Sequence, residues 1–255
     1  MIGADKVCKS FDSGKTFAAK DVSFTVESGT VLALLGGSGS GKSTVVKIIN
    51  RLIEPTSGKI LVNGEDIMQQ DPVLLRRKIG YVFQAIGLFP HMTVAENVGM
   101  VPKLLGQKSE QYADRVNELL EMVELPAAEF ADRYPHQMSG GQRQRVGFAR
   151  ALAGGAKVML LDEPFGALDP VTRDSLQSEF KTIQEKLGLT ALVVTHDMAE
   201  ALLLADQIAV MLDGEVVRIG TPRELLKDPG NDYVAKLLST PRRHGELMKT
   251  LESGD

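Results

Sequence analysis

Gly36, Gly37, Ser38, Gly39, Ser40, Gly41, Lys42 and Ser43 follow the spacing G-x-x-x-x-G-K-[ST]. Such a run can wrap a polyphosphate. Glycines let backbone N–H groups turn inward around phosphate oxygens without Cβ clashes. A helix opening near Lys42 adds the positive end of its dipole. Lys42 would bring a full charge to the β- and γ-phosphates, and the Ser43 hydroxyl, followed by Thr44, is placed to ligate Mg²⁺. The flanking residues suit this use. Residues 31–36 form a short apolar stretch of buried-strand type, and 42–53 show helical spacing at Val45, Val46, Ile49, Leu52 and Ile53. A flexible glycine linker would need neither. The pattern alone leaves the base and the reaction open.

Asp162 and Glu163 follow the apolar residues 158–161, at the end of a strand where open α/β sheets bind ligands. Asp162 would hold Mg²⁺ directly or through water, and Glu163 could polarise an attacking water as general base. Thr195, His196 and Asp197 end another apolar strand in the same way, and a histidine there can donate to a γ-phosphate. Alone, the two acids read equally well as solvated groups at a strand end, and the histidine reads better as an exposed residue beside an Asp that caps the next helix. Ser139, Gly140, Gly141 and Gln142 open a helix running to Ala153, with Ser139 as its N-cap. This is a second helix N-terminus able to bind phosphate. One nucleotide loop and two phosphate-binding helix ends make sense if the second end serves a neighbouring chain, so that a two-fold dimer buries two nucleotides.

The elements that would position these residues follow from periodicity. Residues 6–11 and 21–26 read as half-buried strands, and Asn63-Gly64 as a hairpin turn. Strand 79–84 comes next, and from about 93 to 153 the pattern is helical. There Ser109 reads as an N-cap, and Val116, Leu119, Leu120 and Val123 form one stripe. Strand 157–161, a helix from Asp169-Pro170 to an exit at Gly188, strand 191–195, a helix at 198–204 and a hairpin turning at Asp213-Gly214 restore an α/β alternation. Two short helices are expected after Pro222. The 255 residues carry a net charge of −4, which argues against nucleic acid as a partner. The lone Cys8 excludes an intrachain disulfide and favours a reducing compartment. No stretch approaches the about 20 apolar residues that span a bilayer as a helix, and the N-terminus has no apolar core of signal-peptide length.

With these motifs in this order, nearly the whole chain resembles the ATP-binding subunits of ABC transporters. Ser139, Gly140, Gly141 and Gln142 match that family's signature, with Met138 in place of the usual Leu, a near-isosteric exchange. Gln84 matches the Q-loop glutamine, a further expected Mg²⁺ ligand, Asp169 the D-loop aspartate and His196 the switch histidine. Phe11 falls where the family stacks an aromatic ring on adenine. The resemblance implies a RecA-like P-loop NTPase core with an antiparallel β subdomain (1–84 and 154–240), an inserted α-helical subdomain (85–153) and a C-terminal tail (241–255). It implies ATP and Mg²⁺ as ligands and a head-to-tail dimer that closes on ATP. It also implies Glu163, His196, Gln84 and Lys42 as catalytic residues and a peripheral place on the cytoplasmic face of the cell membrane. Ile86, Leu88 and Phe89, within the stretch 84–97, are large apolar residues in an expected loop, where the family grips its membrane permease. The wording of that stretch and of 162–173 is similar to importers of quaternary amines such as glycine betaine, choline and carnitine, which work with a solute-binding protein. Larger relatives append C-terminal domains that sense ionic strength; the sequence runs only to Asp255, so regulation by that route is not expected. The alternatives are another binding-protein-dependent importer, a soluble ABC ATPase without transport, a P-loop kinase, which leaves Ser139 to Gln142 and His196 unexplained, and a non-catalytic nucleotide-gated scaffold, which the complete set of acids disfavours.

Overall fold

The structure, a computed structural model, describes residues 1–83 and 86–253. Ile2–Lys9 (β1) and Ala19–Val26 (β2) pair antiparallel, and alternation along β2 turns Ala19, Val22, Phe24 and Val26 inward. β1 begins and ends earlier than the expected 6–11, because Ile2 pairs with both Val26 and Val62, distant partners that the local pattern does not name. Val31–Leu35 (β3) is buried at every position and leads through the glycine run into Lys42–Ile49 (α1). α1 stops short of 53 because Asn50 caps it and Arg51 turns to φ 49°. Ser57–Val62 (β4) and Glu65–Asp66 (β5) meet at Asn63-Gly64, both with positive φ. They complete an antiparallel sheet in the order β2-β1-β4-β5.

Asp71 caps Pro72–Lys78 (α2), which feeds Ile79–Val82 (β6). Five helices follow: Val94–Val98 (α3), Met100–Leu104 (α4), Ser109–Met122 (α5), Ala127–Phe130 (α6) and Gly140–Ala153 (α7). The stripe Val116, Leu119, Leu120 and Val123 is buried as its spacing predicts. Ser109 is not the cap of α5. Lys108 holds that position, and its N–H donates to the Gln111 side chain at 2.7 Å, so a bond from the third helical residue back to the cap N–H fixes this helix start one residue earlier than expected.

Val158–Asp162 (β7), Pro170–Leu187 (α8), Thr190–Thr195 (β8), Met198–Leu204 (α9), Gln207–Leu212 (β9) and Glu215–Gly220 (β10) restore the alternation. The second sheet has the order β10-β9-β3-β8-β7-β6 and is parallel except for the hairpin return of β10. β3, β7 and β8 have no exposed residue because both faces are covered. One face packs against α7, α8 and α9, with α5 lying on α7, and the other against α1 and the antiparallel sheet. Asp169 caps α8, and Gly188 ends it at φ 60°, as expected. The last two helices are Pro222–Lys227 (α10) and Asp232–Ser253 (α11). α11 is long rather than short: it continues through Pro241, and the fully buried Val234 and Leu238 seat its first turns on the core. No helix among the described residues is long and apolar enough to cross a membrane.

Candidate functional site

The loop between β3 and α1 requires glycine at two positions. A Cβ on Gly36 would lie 2.4 Å from the Met211 carbonyl oxygen. Gly41 has φ +99°, and a Cβ there would lie 2.1 Å from the Ala18 carbonyl oxygen. Over this cradle the Lys42 ammonium donates to the Gly36 carbonyl at 2.9 Å, the Gly37 carbonyl at 2.7 Å and the Ser40 hydroxyl at 3.3 Å. Burial lowers its pKa, while Glu163 and Asp162 act the other way. A buried cation whose direct partners are neutral oxygens is a counter-charge ready for an anion.

α1 and β7 bring a second pair together. The Ser43 hydroxyl donates to Asp162 Oδ1 at 3.0 Å. Burial pushes the Asp162 pKa up, and the Ser43 and Tyr81 hydroxyls oppose the shift. Two adjacent hard oxygens at the mouth of a phosphate loop fit a small divalent cation such as Mg²⁺, which prefers oxygen ligands and keeps much of its water.

Glu163 leaves β7 in the left-handed region at φ 48°, a conformation that costs about 1 kcal/mol for a residue with a Cβ. Its N–H is held by the Val194 carbonyl at 3.0 Å. Two residues on, the fully buried Phe165 packs against Phe148 of α7 and Phe180 of α8, with ring centroids 5.9 and 6.4 Å away. This anchoring sustains the turn. Glu163 Oε2 thereby comes within 3.4 Å of His196 Nδ1. Ala18, Gly37, Ser38, Gly39, Gly41, Lys42, Ser43, Thr44, Glu163 and His196 line one cleft of about 710 Å³.

The other residues singled out in the sequence do not line that cleft. Gln84 lies outside the described residues. Phe11 is 68% exposed in the loop after β1, with Lys9 Nζ 5.0 Å from its ring centroid. Asp12 organises this loop by accepting from the Ser10 hydroxyl and from the Thr16 N–H and hydroxyl. Those bonds, the Thr16 N–H above all, hold its carboxyl down at about 2. Ser139 and Gln142 close a reciprocal cap. Gln142 N–H donates to Ser139 Oγ at 3.2 Å and Ser139 N–H to Gln142 Oε1 at 3.0 Å, which leaves the serine proton free to donate. Gly140 faces open space, whereas a Cβ on Gly141 would meet Thr172 Cγ2 at 2.4 Å. The starts of α7 and α8, the latter capped by Asp169, therefore sit against each other.

The sequence pattern of the family described as ABC transporter matches residues 19–166, from β2 through the phosphate loop to the turn after β7. The chain belongs to the ABC transporter family. It is 52% identical over 242 residues to the carnitine transport ATP-binding protein OpuCA of Listeria monocytogenes, covering 95% of this chain and 60% of that protein. It is 48% identical to the glycine betaine uptake system ATP-binding protein YehX of Escherichia coli, covering 92% of this chain and 75% of that one. The chain thus spans about three fifths of the length of the first of these relatives. Among solved structures it is similar to the dimeric bacterial ABC transporter cassette MJ0796, with TM-score 0.78, 38% identity and coverage of 88% and 99% of the two chains. A post-hydrolysis state of that cassette bound to ADP and Pi superposes with TM-score 0.78 at 37% identity, with the same coverage.

In this ABC cassette several residues not singled out as site residues shape its surroundings. Arg150, buried on α7, donates to the Gly87 and Ile86 carbonyls, both at 2.7 Å. The fully buried Asn97 holds Phe89 by both its N–H and its carbonyl, and also bonds the Met92 and Thr93 carbonyls. With the backbone so held, Phe89 and Phe83 stay exposed beside a groove of about 550 Å³ that Leu52, Met100 and Val101 also line. An arginine within the apolar stretch 146–153 was the one signal in the sequence that pointed to this support.

Proposed function

We propose that this chain is the ATP-binding and ATP-hydrolysing subunit of an importer for quaternary-amine osmoprotectants of the glycine betaine, carnitine and choline class. The observation that carries the ATPase reading is the convergence of Lys42, the Ser43–Asp162 pair and the Glu163–His196 pair at one end of the parallel sheet. The names of the relatives support the solute class. In this reading 1–84 and 154–240 form the nucleotide-binding core, 85–153 the helical unit that carries the signature, and 241–255 the tail.

ATP enters with its phosphates along residues 36–44 and its adenine on Phe11. Lys42 exchanges a neutral acceptor for a charged phosphate oxygen, a stronger hydrogen bond. Ser43 and Asp162, with Gln84, would hold Mg²⁺, which when bound neutralises phosphate charge. Ser139, Gly140, Gly141 and Gln142 of a second copy close over the γ-phosphate, where the free Ser139 proton finds its acceptor, and Asp169 lines the seam. Glu163 takes the proton of the attacking water while His196 orients it. The water oxygen bonds to the γ-phosphorus as the bond to the ADP oxygen breaks. Loss of the bridging phosphoryl group lets the two copies part. The groove beside Phe83 and Phe89 would receive a segment of an integral membrane permease, with the chain on the cytoplasmic face of the membrane and coupled through the permease to a solute-binding protein.

Reconstitution with its co-expressed membrane subunits tests this reading. ATP hydrolysis is expected to rise with glycine betaine, choline or carnitine across a panel that includes proline. A rise with none of the quaternary amines refutes the solute class, and no hydrolysis at all refutes the ATPase assignment.

A further inference from the structure

α11 reaches back to the phosphate loop. The Gly37 N–H donates to the Tyr233 hydroxyl at 3.1 Å, across 196 positions of sequence. The same peptide unit offers the Gly36 carbonyl to the Lys42 ammonium at 2.9 Å. In a planar trans peptide the N–H and C=O point to opposite sides. The hydroxyl and the ammonium therefore hold one peptide plane from its two edges. This plane joins two glycines, and Gly36 is required because the Met211 carbonyl leaves no room for a Cβ. With no Cβ on either side, the plane has more rotational freedom than one between larger residues. A fixed external partner is what removes that freedom.

Tyr233 is well seated for the task. Its ring packs against the buried cluster that contains Leu35, at the end of β3, and Val210 of β9. Its neighbours Val234 and Leu238 are fully buried, and the Asn231 side chain accepts from the Val234 N–H at 2.9 Å. The hydroxyl thus meets the loop from a rigid helix start.

We propose that Tyr233 is a positioning residue for the phosphate loop. Its hydroxyl fixes the peptide between Gly36 and Gly37, and through the Gly36 carbonyl the Lys42 ammonium, and so sets the affinity for nucleoside di- and triphosphates. The inference deepens the nucleotide-binding reading above and rests on it. Tyr233 does not line the cleft that holds Glu163 and His196, so its effect falls on binding rather than on the chemical step.

The test is Tyr233→Phe in the full chain, which keeps the ring and deletes the hydroxyl. Calorimetric titration with Mg-ADP and Mg-ATP is expected to show Kd raised about three- to tenfold, the scale of one hydrogen bond. The KM for ATP should rise with it while kcat stays unchanged. The thermal midpoint without nucleotide should hold, and hydrogen exchange at the Gly37 amide should quicken. Unchanged Kd with unchanged Gly37 exchange overturns the inference, as does a fall in kcat with KM unaltered. If the parent chain binds nucleotide and the variant binds equally well, the inference alone fails. A parent chain that binds no nucleotide removes the site reading and the inference together.

Discussion

Glu200 gives the chain a pH-dependent stability that a single substitution should abolish. Its side chain lies on α9, 6% exposed, and accepts from Gln177 Nε2 of α8 at 3.0 Å. Burial raises its pKa from 4.5 to about 7; Asp197 adds to the rise, while the Thr195 hydroxyl, Gln177 and Arg173 oppose it. Between those two values the unfolded chain has released the proton and the folded chain keeps it. The folded state then binds more protons, so stability falls as pH rises through the window. The difference between the two values corresponds to about 3 kcal/mol, present in full below pH 4.5 and lost above pH 7. Glu200→Gln has nearly the same shape, can still accept from Gln177 and cannot ionise. Urea unfolding of both proteins across this range should show the variant gaining on the parent by about 3 kcal/mol between pH 4.5 and pH 7.5. A stability difference that stays flat across the window would refute the reasoning, because packing alone carries no proton dependence.

Glu163→Gln should retain nucleotide binding yet slow hydrolysis by about 10²-fold or more, the usual scale of a general base, and near-parental rates would remove Glu163 from that role. Gly41→Ala would drive a methyl to 2.1 Å from the Ala18 carbonyl oxygen, at a φ that alanine disfavours. Calorimetry should then find no ATP binding at millimolar concentration, with the circular dichroism spectrum preserved; intact affinity would contradict the cradle. Phe165→Ala empties the contact among three aromatic rings and should cost about 3–5 kcal/mol in denaturant unfolding, with a loss below about 1 kcal/mol counting against it as the anchor of the Glu163 turn.

The candidate site was legible where its logic is local. The glycine spacing at 36–41 and the acids ending an apolar strand at 162–163 are short-range patterns, and the chain folds them as read. The same holds for Asp169-Pro170 and Gly188, whose backbone preferences set the two ends of α8 without help from distant residues. Legibility failed where a partner comes from far along the chain. The start of β1 depends on Val26 and Val62, and the course of α11 past Pro241 begins from Val234 and Leu238 seated in the core.

By itself the sequence determined the glycine spacing that opens α1, the two strand ends that carry the acids and the histidine, and the serine cap that opens α7. Only the tertiary structure decided what those groups touch. It set Lys42 on the Gly36 and Gly37 carbonyls, Glu163 beside His196, Gly141 against Thr172 and the Tyr233 hydroxyl on the Gly37 N–H. The reason is physical. Backbone propensity and hydrophobic period act over a few residues and are written in order along the chain, whereas these contacts arise when two buried faces of one sheet are packed, and packing has no sequence order.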